Sequence, residues 1–247
     1  MIVAVGAQET ASYLPIAKGN KWTYESASRA TAVVDGMEME ILNTKGTTTD
    51  EIVGVSDQVT DPKDVLLHRS VSSEKGSVQG VESSLELKTD SHLKWASDTL
   101  LVYQEKMEGL PFQDALISKY EKPLLVLKKT VKEGDVWDVG TMRLGKLEMP
   151  AQMKVSAIED VTVPAGTFKK CFKVVTEVKQ ISGNINGPDV VLEARNGTLT
   201  KTSWYAPGVG LVKEESTWTM SLDAGGTQVS FQYVKSRALQ SGYKVNG

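Results

Sequence analysis

Few residues of the chain have chemical reach. His68 and His92 are its two histidines, and neither has a Cys, His or acidic residue at metal-ligand spacing. His68 stands in Leu66-Leu67-His68-Arg69 and reads as the exposed side of a strand. The carboxylate pairs Glu159-Asp160 and Glu214-Glu215 are of the type that acid and base catalysis needs. Neighbours on a strand point to opposite faces, however, so these pairs read as solvated edges or turn residues. No Gly-x-Ser-x-Gly elbow occurs, and the run Ser70 to Ser77 reads as a hairpin loop. Cys171 is the single cysteine, which excludes an internal disulfide and a multi-thiolate zinc site. It alternates with Lys170 and Phe172, as a small buried or half-buried side chain would. Asn196-Gly197-Thr198 matches a glycosylation acceptor, but Asn-Gly is already accounted for as a turn. Met37, Met39, Met107, Met142, Met149, Met153 and Met220 suit core filling or a greasy cavity. The sequence thus names no catalytic, metal or cofactor-binding residue, and it leaves the ligand-binding residues unknown.

The elements that would position any site are strands. Val81, Leu85 and Leu87 oppose Glu82, Glu86 and Lys88, and Phe168, Phe172, Val174 and Val178 oppose Lys169, Lys173 and Glu177. Trp218, Met220 and Leu222 alternate with polar residues, as do Val229, Phe231 and Tyr233. Period-two alternation of this kind marks antiparallel sheet with one buried and one wet face. Asp35-Gly36, Asn186-Gly187, Asn196-Gly197 and Gly225-Gly226 supply hairpin turns. Val163-Pro164-Ala165-Gly166-Thr167 fits a type I turn and Ala206-Pro207-Gly208-Val209 a type II turn. One short helix is predicted, from Pro111 through Lys119 and ended by Pro123.

Two stretches are nearly equivalent. Leu14-Pro15-Ile16-Ala17-Lys18-Gly19-Asn20-Lys21-Trp22 and the run from Leu127 to Gly134-Asp135-Val136-Trp137 both pass through Lys to Gly, then Asn or Asp, one residue, and Trp. A weaker echo links Ile52 to Pro62 with Val155 to Pro164. The predicted fold is all-β and antiparallel, with two related lobes or one strongly curved, half-barrel-like sheet and a short helix near the middle. The expected divisions are residues 1–11 as a signal-peptide remnant or disordered terminus, 12–122 as a first lobe and 123–247 as a second, which could be continuous with the first.

Composition sets limits. With 40% hydrophobic and 24% charged residues, the 247-residue chain can bury a core without disulfides or metals. A net charge of -3 with dispersed lysines gives no basic surface for nucleic acid. No run approaches the roughly 20 apolar residues of a membrane helix. Val5 and Ala7 resemble the small pair before a secretory cleavage point, although the apolar run is short and has no basic region before it.

Tyr13-Leu14-Pro15-Ile16, Gly19-Asn20-Lys21-Trp22-Thr23-Tyr24, Gly134-Asp135-Val136-Trp137, Val163-Pro164-Ala165-Gly166-Thr167-Phe168 with Cys171, and Trp204-Tyr205-Ala206-Pro207-Gly208-Val209-Gly210-Leu211-Val212-Lys213 together resemble a broad group of uncharacterised bacterial exported proteins. The resemblance implies a signal-peptide-bearing, β-rich envelope protein, sometimes a lipoprotein, of a type related to lipoprotein-carrier half-barrels. It brings no catalytic residues with it. The expected function is that of a non-enzymatic protein, exported to the periplasm or beyond, that binds a hydrophobic or lipid-like ligand in the concavity of its sheet. The alternatives are a structural or assembly module that docks an envelope protein and, third, a hydrolase. No cofactor is expected.

Overall fold

The structure is a computed structural model that describes residues 8–9, 13–110, 115–186, 191–224 and 226–246. Alternating side chains and turn residues generate fourteen strands among them. The first half holds β1 (Gln8–Glu9), β2 (Lys21–Val34), β3 (Met37–Val55), β4 (Leu66–Val78), β5 (Val81–Ala96), β6 (Thr99–Glu108) and β7 (Leu116–Lys128). After the short β8 (Thr130–Val131) come β9 (Val136–Leu144), β10 (Leu147–Val163), β11 (Gly166–Asn186), β12 (Val191–Ala206), β13 (Gly210–Ala224) and β14 (Thr227–Leu239).

Strand order is β7-β6-β5-β4-β3-β2-β14-β13-β12-β11-β10-β9, one antiparallel sheet of twelve strands, with β1 and β8 paired apart from it. Two six-stranded meanders, β2 to β7 and β9 to β14, are therefore joined edge to edge where β2 pairs with β14. The sheet curls until its outer strands meet, so of the two expected alternatives it is the single strongly curved sheet, carried beyond a half-barrel to a nearly closed barrel. No ladder joins β7 to β9 among the described residues. Side chains stitch the seam instead: Trp137 Nε1 donates to the Leu125 carbonyl at 3.2 Å and Ser118 Oγ to the Arg143 carbonyl at 3.1 Å. Pro123 lies within β7, on this edge, where a missing backbone N–H costs least.

The paired Gly-(Asn/Asp)-x-Trp signals open these two meanders with the same backbone bonds. Gly19 N bonds Ile52 O, Asn20 N bonds Ala17 O and Ile52 N bonds Asn20 O; Gly134 with Val155, Asp135 with Lys132 and Val155 with Asp135 repeat the set. Both glycines have positive φ, 83° and 90°, which a side chain rarely adopts. Each Trp is buried at the start of its first strand.

The expected turn at Asp35-Gly36 is present, with φ of 51° and 78°. A bond from Val209 N to Ala206 O at 3.2 Å closes the turn at Pro207-Gly208. Asn196-Gly197 is not a turn, because it lies inside β12 as a bulge where the register with β13 shifts between Arg195 and Thr198. Gly187 and Gly225 lie outside the described residues. The predicted helix from Pro111 to Lys119 is corrected over its second half, since Leu116–Lys119 begin β7; residues 111–114 lie outside the described residues, as do 1–7 and 10–12 of the N-terminal segment. Backbone pairing with β6 outweighs the weak helical spacing of Phe112, Ala115 and Leu116.

The main apolar core is built by the inward faces of β5 to β13, with Leu100, Leu124, Trp137, Met149, Phe172 and Ile181 among its members. A second cluster gathers Trp22, Tyr24, Ile52, Trp204, Val212 and Leu239 around the joint between the meanders. A methyl group added at Gly197 would lie 2.6 Å from Cβ of buried Ile181. Gly197→Ala should therefore destabilise the barrel by about 1–3 kcal/mol, read as a lower urea midpoint with an unchanged denaturant slope.

Candidate functional site

Opposed residues on paired strands share a face, so the register identifies the barrel's interior. One row runs Val155, Val174, Ser203, Glu214, Arg237, Ser26, Gly46, Glu74 and Leu85 across β10, β11, β12, β13, β14, β2, β3, β4 and β5. Its ends are apolar and its middle is charged. Arg237 follows Phe231, Tyr233 and Lys235 on the inward phase of β14, and Asp50 precedes Ile52 on the inward phase of β3.

Arg237 is the centre of this polar wall. Its Nη1 donates to Asp50 Oδ2 at 2.9 Å and its Nε to Glu214 Oε1 at 3.1 Å. The guanidinium also lies over the Tyr24 ring, 4.9 Å from the centroid. Ser203 Oγ donates to Glu214 Oε2 at 3.1 Å, and Lys201 Nζ stands 4.0 Å from the same oxygen. A parallel group surrounds Glu74, which accepts from Thr44 at 2.7 Å and Ser72 at 3.0 Å, with Lys235 Nζ at 3.6 Å.

Burial alone would raise the carboxyl pKa of Asp50, but Arg237 and His68 overcome it and hold the group well below the usual carboxylate range. Glu214 is lowered by Arg237 and Lys201 against the same burial penalty, and Glu74 by Thr44 and Lys235. Burial lowers Lys235 despite Glu74, and it raises Tyr24 and Tyr205.

Where Asp50, His68 and Arg237 meet the apolar wall there is a half-open cavity of about 140 Å³. Ile52, Leu93, Leu100, Val126 and Leu211 form its apolar walls, Trp22, Tyr24 and Tyr205 its aromatic ones, and Leu14, Pro15 and Ile16 its cover. Asn20 holds that cover, donating from Nδ2 to the Pro15 carbonyl at 3.1 Å while its Oδ1 accepts from Asn246 N at 2.7 Å. Asp50 is 3% exposed, and its Oδ1 has no hydrogen-bond partner among the described residues. No methionine is among the lining residues; Met149, Met153 and Met220 fill the core and Met37 and Met39 are exposed.

Two sequence expectations change here. His68 is not on the exposed side: it pairs with inward Ile52, lines the cavity and brings Nε2 to 3.7 Å from Asp50 Oδ2. Glu214 is not a solvated edge, although its neighbour Glu215 is exposed and paired with Lys213. Tyr205, two residues beyond inward Ser203 on β12, shares its phase and is a cavity wall, whereas Trp204 faces the other side. Glu159 and Asp160 are on the solvated side, as expected.

His92 is fully buried, with Nδ1 2.7 Å from Ser56 Oγ and with Nε2 lacking a partner among the described residues. Burial lowers its pKa. Ser56 is buried too and accepts Gln58 N–H at 3.0 Å, so the pair sits where a substrate would have to displace the chain that covers it. Cys171 is buried as expected, and so is its neighbour Phe172, because the two face opposite sides of β11 and each is covered by a different apolar cluster. Burial, with Asp160 nearby, pushes the thiol up to about 11. Among the described residues no three His, Cys, Asp or Glu side chains are grouped as metal ligands.

A sequence profile described as DUF3108-like matches residues 138–219, one third of the chain, from β9 into β13. No curated protein matches the chain. Among solved structures, the chain is similar to a predicted exported protein with YmcC-like fold from Bacteroides fragilis, at 13% identity and TM-score 0.31, over 92% of this chain and 97% of that one. It is likewise similar to a predicted lipoprotein from Parabacteroides distasonis, at 12% identity and TM-score 0.29, over 93% of this chain and 97% of the other.

Two predictions follow from the polar wall. Arg237→Met leaves two buried carboxylates without their cation, a loss of about 3–5 kcal/mol, and should lower Tm by about 10 °C in a thermal melt. Asp50, Glu74 and Glu214 have folded-state pKa values below their unfolded ones. The stability they contribute is complete above about pH 5 and is lost as acid takes the protein below about pH 4. Tm measured against pH should fall along that limb, and less steeply in Asp50→Asn.

Proposed function

We propose that the protein is a non-enzymatic, exported cell-envelope protein that holds a small ligand inside its barrel. The reading rests on a half-open cavity whose walls are mostly apolar and whose one polar edge is formed by Asp50, His68 and Arg237. Apolar walls with a few convergent polar groups are the usual make-up of a small-molecule site. At about 140 Å³ the cavity is close to the size that accepts one benzene ring. A hydrophobic or lipid-like ligand therefore fits by a short end group and not by a whole acyl chain. Export is the compartment that the motif resemblance implies.

A second reading, an assembly module that docks an envelope protein, is favoured by one observation. Met37 and Val81, at the hairpin ends of β2–β3 and β4–β5, are 68% and 66% exposed.

Small amphipathic solutes at millimolar concentration, such as n-butanol, should raise Tm by mass action, and Val126→Phe, which fills the cavity, should abolish the shift while the circular dichroism of the sheet persists. A long-chain fluorescent fatty acid should not bind. Equal shifts in the wild type and Val126→Phe, or none in either, would remove the cavity from consideration. The docking reading predicts instead that Met37→Glu with Val81→Glu leaves Tm unchanged and eliminates a crosslinked envelope partner.

A further inference from the structure

We propose that residues 57–64, which join β3 to β4, form a strap over the outer face of the barrel, latched by His92 and released in mild acid. The strap lies on the other face of the sheet from the cavity, so the inference stands apart from the ligand reading. Register places it there. Ile52 pairs with inward His68, but the ladder shifts between Ile52 and Gly54, and Gly54 pairs with Leu67, which faces the other way. Ser56, two residues on, keeps that outward phase. Leu67 in turn pairs with His92, and His92 with Gln104 of β6. His92 is thus an outward residue and yet fully buried, and Gln104 beside it is buried too. The chain that leaves β3 covers them.

The strap is tied at few points. Ser56 N donates to the Val65 carbonyl at 2.7 Å, which draws its two ends together, and both end residues are buried. Between them Asp57, Gln58, Thr60, Asp61, Lys63 and Asp64 are exposed. Among the described residues, side chains fasten it to the sheet in three places. Ser56 Oγ lies 2.7 Å from His92 Nδ1, Gln104 Nε2 donates to Gln58 Oε1 at 3.5 Å, and Lys94 Nζ donates to the Lys63 carbonyl. The first is buried, the second is long, and the third is open to water.

The latch suits only a neutral ring. Nδ1 is taken by Ser56, which also accepts the Gln58 N–H, while Nε2 has no partner among the described residues. A protonated ring donates from both nitrogens, so Nε2–H would be a buried, charged donor without an acceptor. Leu67 and Gln104 flank the ring and are uncharged. On β5, Asp90 is held by Arg69 of β4 at 2.7 Å and by Lys88 at 3.6 Å, and Lys94 is a cation, as is Lys106 opposite Asp90 on β6. Asp57 belongs to the strap itself and is exposed. Burial outweighs the pull of Asp90 and Asp57 and lowers the His92 pKa from its ordinary 6.5. The closed strap therefore binds fewer protons than the open one. Its hold is complete above about pH 6.5 and weakens as the pH falls through that value, before the interior carboxylates are protonated.

The test is amide hydrogen exchange of the full chain between about pH 7.5 and 5.5, each rate divided by that of an unfolded amide at the same pH, with the two histidine rings followed by NMR. The corrected rate at the Gln58 amide, which is bonded to the latch oxygen, should rise several-fold, with about tenfold as the ceiling for one proton, while β4, β5 and β6 stay protected. His92→Gln, which does not titrate, should remove the pH dependence. The ring of His92 is read in the unaltered protein and should titrate below 6.5 together with the rise at Gln58, so the matter is decided even if the variant folds poorly. A Gln58 rate constant over the range, an equal rise in His92→Gln, or a His92 ring that titrates at 6.5 or above would overturn the inference.

Discussion

The contact on which the barrel most depends is the hold of Arg237 on Asp50 and Glu214. Asp50 comes from the first meander and Glu214 from the second, and Arg237 stands on β14, the strand that joins them. Three charges taken from water must satisfy one another or destabilise the fold. Strand twist, inward phase and register all converge on that requirement. The division of the interior follows from it: hydroxyls and charges face inward along β12, β13, β14, β2, β3 and β4, while aliphatic and aromatic side chains fill the opposite wall. Polar specificity and apolar packing thus share one lumen, and the cavity forms where they meet.

Much of the architecture was legible because its signals are local. Alternation at Val229, Phe231 and Tyr233 and the turn at Asp35-Gly36 depend on near neighbours, as does the repeated Gly-(Asn/Asp)-x-Trp opening of each meander. Closure was not legible, since the pairing of β2 with β14 and the side-chain seam between β7 and β9 join residues far apart in sequence. Asn196-Gly197 misled because a bulge and a hairpin turn use the same left-handed residue, and only the partner strand tells them apart.

The site was missed for a related reason. Lys213-Glu214-Glu215-Ser216 has no apolar phase of its own, so nothing local says which carboxylate faces in. A signal did exist on the neighbouring strand: continuing the phase of Phe231 and Tyr233 puts Lys235, Arg237 and then fully buried Leu239 on one face. Two cations in line with buried residues announce interior anions to match. The same extension on β2, from Trp22 and Tyr24 through Ser26 and Ser28 to Ala30, traces a lumen whose walls change from aromatic to hydroxylic to small.

The joint between the meanders also governs when the molecule can become itself. Arg237 and Asp50 are 187 residues apart, as are Trp22 and Val209. Each meander can zip hairpin by hairpin from local contacts, but the link between them closes a loop that spans most of the polypeptide. A chain made from its N-terminus therefore carries Asp50 without its cation until β14 emerges. Until then it is an open ribbon with unpaired edges, the state in which polypeptides are most readily threaded, captured by chaperones or lost to aggregation.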